Sequence, residues 1–195
     1  MVFFVRKYGS TSPEQLTDAV FAIVGSRGLD AASIREVAAA AEVSIGAVQH
    51  HFTTKDELYA FAFEQLTARV RARISAIDPQ SPLTDRLVTA LSQLLPLDDE
   101  REHEARVMVF FAARATTNRT LADIQRRTLA EIRRELEAQL SVANIPEPST
   151  RSAILLATVD GLALDAVSSR GLYSRSELVA ALSLHVRSLI SGRGE

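Results

Sequence analysis

Helix caps at Ser12, Ser33, Ser44 and Thr54 divide the start of this chain into helical pieces, two of which run for only about two turns. A helix that short does not persist alone, because its costly nucleus is spread over too few hydrogen bonds, so these pieces must pack on one another. In Ser12-Pro13-Glu14-Gln15 the Ser can cap, Pro suits the first helical position and Gln completes a capping box. Leu16, Ala19, Val20, Ile23 and Val24 then form an apolar stripe that ends before Gly28. Ser33-Ile34-Arg35-Glu36 is a second capping box and opens a helix through Val37 and Ala41. Glu42-Val43-Ser44 interrupts it, Ser44 caps a third helix over Ile45–His51, and Thr54-Lys55-Asp56-Glu57 caps a fourth.

Helical periodicity continues to the end of the chain and strand alternation is almost missing, so the expected class is all-α with about nine helices. The fourth helix should run from about Lys55 to Ile77, with Leu58, Phe61, Ala62, Leu66 and Val70 on one face, until Asp78-Pro79-Gln80-Ser81-Pro82 stops it. A helix over about Leu83–Leu95 follows. Pro96 to Glu104, crowded with Asp98, Asp99, Glu100, Glu102 and Glu104, reads as a solvated acidic loop. Further helices are expected over Ala105–Thr117, Leu121–Ala143, Thr150–Ser169 and Arg175–Ser191, with a natural boundary near residue 78.

At 195 residues the chain can bury a core without staples, and with no Cys it has no disulfide, thiolate metal site or cysteine nucleophile, which suits a reducing compartment. The start MVFFVRKYGSTSPEQ lacks a secretory signal's layout, and no uncharged apolar run is long enough to cross a bilayer. A cytoplasmic protein with no membrane partner is expected. Net charge is -2, with Lys7 and Lys55 the two lysines among 22 Lys+Arg. The arginine bias is compatible with phosphate recognition, but genomic composition accounts for it equally well. Near-neutral charge excludes a basic coat and leaves room for a local basic patch.

Residues 33–58, SIREVAAAAEVSIGAVQHHFTTKDEL, concentrate the functional signal. Two short helices around a three-residue turn, the second led by small and polar residues, meet the demands of a DNA-reading helix-turn-helix. Ala38 and its Ala neighbours permit a close crossing, while Ile34, Val37, Val43, Val48 and Phe52 can form the core beneath. Ile45, Gly46, Ala47, Gln49 and His50 remain for the outer face of the third helix. Gln49 can pair bidentately with an adenine edge, and Ala47 or Ile45 can meet a thymine methyl. Thr54 and Lys55 stand at a helix start, which favours a phosphate. Ser33, Arg35 and Ser44 complete the DNA-facing set.

This stretch resembles the amino-terminal domain of TetR-family regulators, whose pattern reads roughly V-S-x-G-x-x-Y-x-x-F-x-x-K-x-x-L. Val43, Ser44, Gly46, Phe52, Lys55 and Leu58 stand at those spacings, preceded by Ile34-Arg35-Glu36-Val37-Ala38 and by a first helix ending at Gly28-Leu29. Gln49 replaces the usual Tyr, so the phosphate contact of a Tyr hydroxyl does not carry over. Glu42 stands where Gly is frequent, at about 1 kcal/mol if the turn requires positive φ. Gln49-His50-His51-Phe52 is similar to a BetI-like branch, and Asp160-Gly161-Leu162 is also familiar from the family. The resemblance implies a DNA-binding domain over residues 1–54 and a ligand-binding and dimerisation domain over 55–195, with 55–77 connecting them. It further implies a homodimer formed by the last two helices, a palindromic double-stranded DNA operator and a small-molecule effector held among the middle helices. A ligand-responsive repressor follows, in which effector binding swings the fourth helix and changes the separation of the reading helices.

The run from Arg106 to Arg114, with Val107, Met108, Val109, Phe110 and Phe111, is either plain core or the wall of a cavity. Leu91, Leu94, Met108, Phe111, Ile124 and Leu162 are candidate effector-lining residues. With no Trp and only Tyr8, Tyr59 and Tyr173, an aromatic cage for a choline-like cation is poorly supplied. In the last helix Leu178, Leu182, Val186 and Leu189 form one seam while Val179, Leu184 and Ile190 point elsewhere, as burial against both the domain and a second copy would require. His50 is expected at a phosphate and His51 in packing or a cap, and adjacent helical side chains diverge too far to share a metal. His103 and His185 are expected as solvated or core residues. Neither a nucleophile elbow nor a phosphate loop occurs, so no catalytic residue, metal or cofactor is expected. The competing reading is a helical small-molecule-binding protein or enzyme with no DNA role.

Overall fold

The computed structural model describes residues 12–28 and 31–191; the apolar amino-terminal run, Lys7, Tyr8 and Leu29 lie outside them. The described residues form nine helices and no strand: α1 (Pro13–Arg27), α2 (Ile34–Ala40), α3 (Ile45–His51), α4 (Lys55–Ser75), α5 (Leu83–Ser92), α6 (Asp99–Ala115), α7 (Arg119–Val142), α8 (Pro148–Ser168) and α9 (Arg175–Ser191).

The hydroxyl caps work as their spacing requires, though two of the boxes do not close. The Ser12 hydroxyl accepts from the Gln15 backbone N–H at 3.2 Å, yet the Gln15 amide donates to the Ala41 carbonyl at 2.7 Å and so ties α1 to the turn after α2. Ser33 likewise accepts from the Glu36 N–H at 3.2 Å, while the Glu36 carboxylate pairs with Arg27 at 2.7 Å. In both, a contact beyond the side chain's own helix draws it away from the local backbone N–H. The box at α4 closes reciprocally, Thr54 accepting from the Glu57 N–H at 3.1 Å and Glu57 from the Thr54 N–H at 3.2 Å, and so does that at α9, where Ser174 accepts from the Glu177 N–H at 3.2 Å and Glu177 from the Ser174 N–H at 2.7 Å.

The expected acidic loop is mostly helix. Asp98 caps α6 by accepting from the Arg101 N–H at 2.8 Å, and Asp99, Glu100 and Glu102 fill the first turn. Negative charge there is stabilised by the helix dipole, so a cluster that looks like a solvated loop becomes a helix start. The Arg101 backbone N–H, followed by its guanidinium, holds the Asp98 carboxyl below the usual range. Glu104 is not solvated either: it is 1% exposed and receives both guanidinium nitrogens of Arg73 on α4, at 3.0 and 2.5 Å.

Two apolar clusters result. One joins α1–α4 with Val107, Phe111 and Ala115 of α6 and Leu121 of α7. The other joins α5 and the later parts of α7 to α8 and α9, and Leu94 packs against both. Along the seam between α1 and α6, the His103 ring lies so close to Gly25 that a Cβ there would overlap it, and Arg106 donates to the Gly25 carbonyl. Glycine is required at 25 for that approach.

Candidate nucleic-acid interface and effector cavity

The turn between α2 and α3 is closed by the Val43 N–H donating to the Ala38 carbonyl at 3.0 Å. It bends through Glu42, which holds a left-handed φ of 55°. Below it Val37, Ala38, Val43, Val48 and Phe52 are buried and Ile34 packs against them, the small core expected for two crossing helices. Ser44 caps α3 by accepting from the Ala47 N–H at 3.0 Å.

With Val48 turned inward, the outer face of α3 carries Ile45, 45% exposed, together with exposed Gly46, Gln49 and His50. Ile45 and Gln49 share a face one turn apart, so an apolar contact and an amide reader lie side by side. Ala47 is half-buried against the core and flanks that face. The His50 ring meets His51 edge-on at 5.5 Å, and His51 is exposed and tilted on Phe52 at 6.1 Å. Arg35 is exposed on the first turn of α2 beside the half-buried cap Ser33. At α4 the exposed cap Thr54 adjoins Lys55, whose Nζ lies 5.5 Å from the centre of the Tyr59 ring. The structure thus places Ser33, Arg35, Ser44, Ile45, Gly46, Gln49, His50, Thr54 and Lys55 on the leading ends and outer faces of three successive helices.

A cavity of about 490 Å³ lies among α4, α5, α6, α7 and α8, within the usual range of small-molecule sites. Leu91, Leu94 and Met108 line it, as the sequence suggests. The other three candidates stand behind the wall. Phe111 is core and stacks on the lining Phe63 at 4.0 Å, Ile124 packs with the first apolar cluster and Leu162 with the second. Asp160 and Gln125, which periodicity does not single out, do line it. The signal for Asp160 was present: a lone carboxylate in the otherwise uncharged run from Ser152 to Ala163. Burial pushes that carboxyl up to about 6.

Apolar side chains also stand exposed on α8 and α9, where Ile154 and Leu184 are 40% and 67% exposed, while Leu164, 46% exposed, borders the cavity. Leu178, Leu182 and Val186, the expected inner seam, are buried. His185 shares a hydrogen bond with Thr158 at 3.1 Å, tying α9 to α8. Among the described residues no helix is long and apolar enough to cross a membrane.

Residues 83–191 match the family model described as BetI-type transcriptional repressor, C-terminal, and residues 16–61 match bacterial regulatory proteins, tetR family. The HTH-type transcriptional regulator PksA of Bacillus subtilis is 29% identical over 181 residues, covering 90% of this chain and 88% of that protein. The crystal structure of a transcriptional regulator from Rhodococcus sp. Rha1 is 50% identical with a TM-score of 0.88, covering 93% of this chain and 97% of its own. A further Rhodococcus structure, 21% identical with a TM-score of 0.81 and covering 91% and 97% of the two chains, shares the fold.

Proposed function

This chain belongs to the TetR family of bacterial regulatory proteins, with a BetI-type carboxy-terminal half, and is a DNA-binding transcriptional regulator; we propose that it is a cytoplasmic, effector-released repressor acting as a homodimer on a palindromic operator. The observation that carries the reading is the outer face of α3, where Ile45, Gly46, Gln49 and His50 stand exposed above a fully packed small core. Gln49 reads a base edge in the major groove, Ile45 meets a thymine methyl, and His50, Arg35 and the Ser33, Thr54 and Lys55 helix starts hold phosphates.

On this reading residues up to 54 form the DNA-binding head, and residues from 55 onward, with α4 as connector, bind effector and dimerise. The dimer forms through the outer faces of α8 and α9, in a two-fold interface built on Ile154 and Leu184. An effector in the cavity acts on Leu66 and Val70 of α4 and Met108 of α6. Those helices lead to the head through Lys55 and through the seam at Gly25. A conformer that accommodates effector better than operator is selected when the effector binds, and the two reading helices lose their register.

The test is selection from random duplexes, with Gln49→Ala and Lys55→Ala run beside the native protein. The expected result is a palindrome whose half-sites lie about 34–36 Å apart or at a multiple of that spacing. Gln49→Ala should relax preference at one base pair, at about 1–3 kcal/mol, whereas Lys55→Ala should weaken all sequences evenly and lower the salt slope by about one. Failure of the native protein to enrich any sequence over random duplex contradicts the reading.

A further inference from the structure

The polar groups on the cavity wall can be sorted by whether a partner already holds them. Arg71 of α4 pairs with Glu131 at 2.6 Å and also feels Glu135, so the guanidinium is compensated twice. The Thr67 and Thr116 hydroxyls donate to the Glu64 and Ala113 carbonyls of their own helices, at 2.8 and 2.7 Å. The Gln139 oxygen accepts from Arg86 at 3.4 Å. Glu135 answers Arg71 through charge alone, and beyond it two acceptors stand out. Gln125 Oε1 on α7 is buried with no hydrogen-bond partner, and the Asp160 carboxylate on α8, which lines the space and is accessible from it, has no ion pair or hydrogen bond. The unmet Gln125 oxygen is a standing cost that a donor would remove, and the Asp160 carboxylate adds a charge that favours a cationic donor.

Resting on the reading of this cavity as the effector site, we propose that the effector is an apolar molecule ending in a protonated primary or secondary amine, whose N–H groups bond Asp160 and Gln125. The surrounding wall, with Leu66, Val70, Leu91, Leu94 and Met108, suits the apolar body. An anion is disfavoured because Asp160 and Glu135 face the space and Arg71 is already engaged. A quaternary ammonium ion has no N–H to give, and no Tyr or Trp lines the cavity to cage it. The lining Phe63 has one ring face covered by Phe111.

Arg71, Glu135 and Asp160 are the ionisable groups of the lining, from α4, α7 and α8; α5 and α6 contribute none. Since burial places the Asp160 carboxyl at about 6, it ionises across the mildly acid range while an alkylamine stays protonated. Amine affinity should therefore rise as pH increases through that value and level off above it.

The experiment is calorimetric titration of the full-length protein with octylamine, octanol, octanoate and octyltrimethylammonium, alongside operator release by each. Octylamine should bind at least about tenfold tighter than octanol at neutral pH. Asp160→Asn should bring the amine down to the alcohol's level without changing alcohol binding, and Gln125→Met should weaken amine and alcohol alike. The proposal is overturned if octanoate, octanol or the trimethylammonium ion matches the amine, or if the amine's advantage survives in Asp160→Asn. If the alcohol or carboxylate binds and releases operator without an amine advantage, only the ligand class falls. If no probe binds the protein or releases operator, the effector reading of the cavity falls too.

Discussion

Glu42 carries a backbone conformation that L side chains seldom adopt, and it does so at the turn that sets the angle between α2 and α3. Its side chain is exposed and holds nothing that the turn depends on. Glu42→Gly should therefore raise stability by about 1 kcal/mol or somewhat less, after the extra freedom of Gly in the unfolded chain is subtracted, as read by a shift in urea midpoint with unchanged slope. The strain was legible through the family resemblance, because Glu stands where Gly is frequent, and the turn does hold a positive φ there. So were Gln49 and His50 on the outer face, because Val48 fixes the rotation of α3. Gln125 was not legible, because its isolation is made by helices remote in sequence. Phe111 shows the converse: an apolar helix face does not tell which of its residues meets a cavity and which meets Phe63.

The link between α4 and α6 depends on a charge pair that neither helix reveals alone. Glu104 is 1% exposed with Arg73 as its ionic partner, and the Glu104 hydrogen bond, with the charge behind it, holds the Arg73 guanidinium above its ordinary range. Arg73→Met should cost about 3 kcal/mol by leaving a buried carboxylate unpaired, and Arg73→Met with Glu104→Leu should recover most of that loss. Chemical denaturation of the two variants measures both. Helix starts were legible wherever a hydroxyl supplied the cap, as at Ser33, Ser44 and Thr54. The start of α6 was not, since an acidic cluster after Pro96 suits a loop and a helix N-terminus equally, and only the reach of Glu104 to Arg73 decides between them.

At the scale of the molecule, the order of helices could be read from periodicity, but the extent of each core could not, since the first one crosses the break near residue 78 to take in α6. Leu184 was expected to point away from the inner seam, and it does so at 67% exposure. Leu184→Glu should yield monomers by sedimentation and, with each head bound to one half-site, reduce operator affinity by at least about a hundredfold, since the second contact is no longer tethered to the first. A unimpaired dimer would place the interface elsewhere. The first apolar cluster runs without a break from α1 through α4 into α6, and the Phe63–Phe111 stack lies inside it. Chimeras that graft one relative's sensor onto another's reader will therefore not tolerate a joint at residue 54. A working splice must carry α6 along with the reader, which leaves α5, α8 and α9 as the parts most readily exchanged when a lineage acquires a new signal.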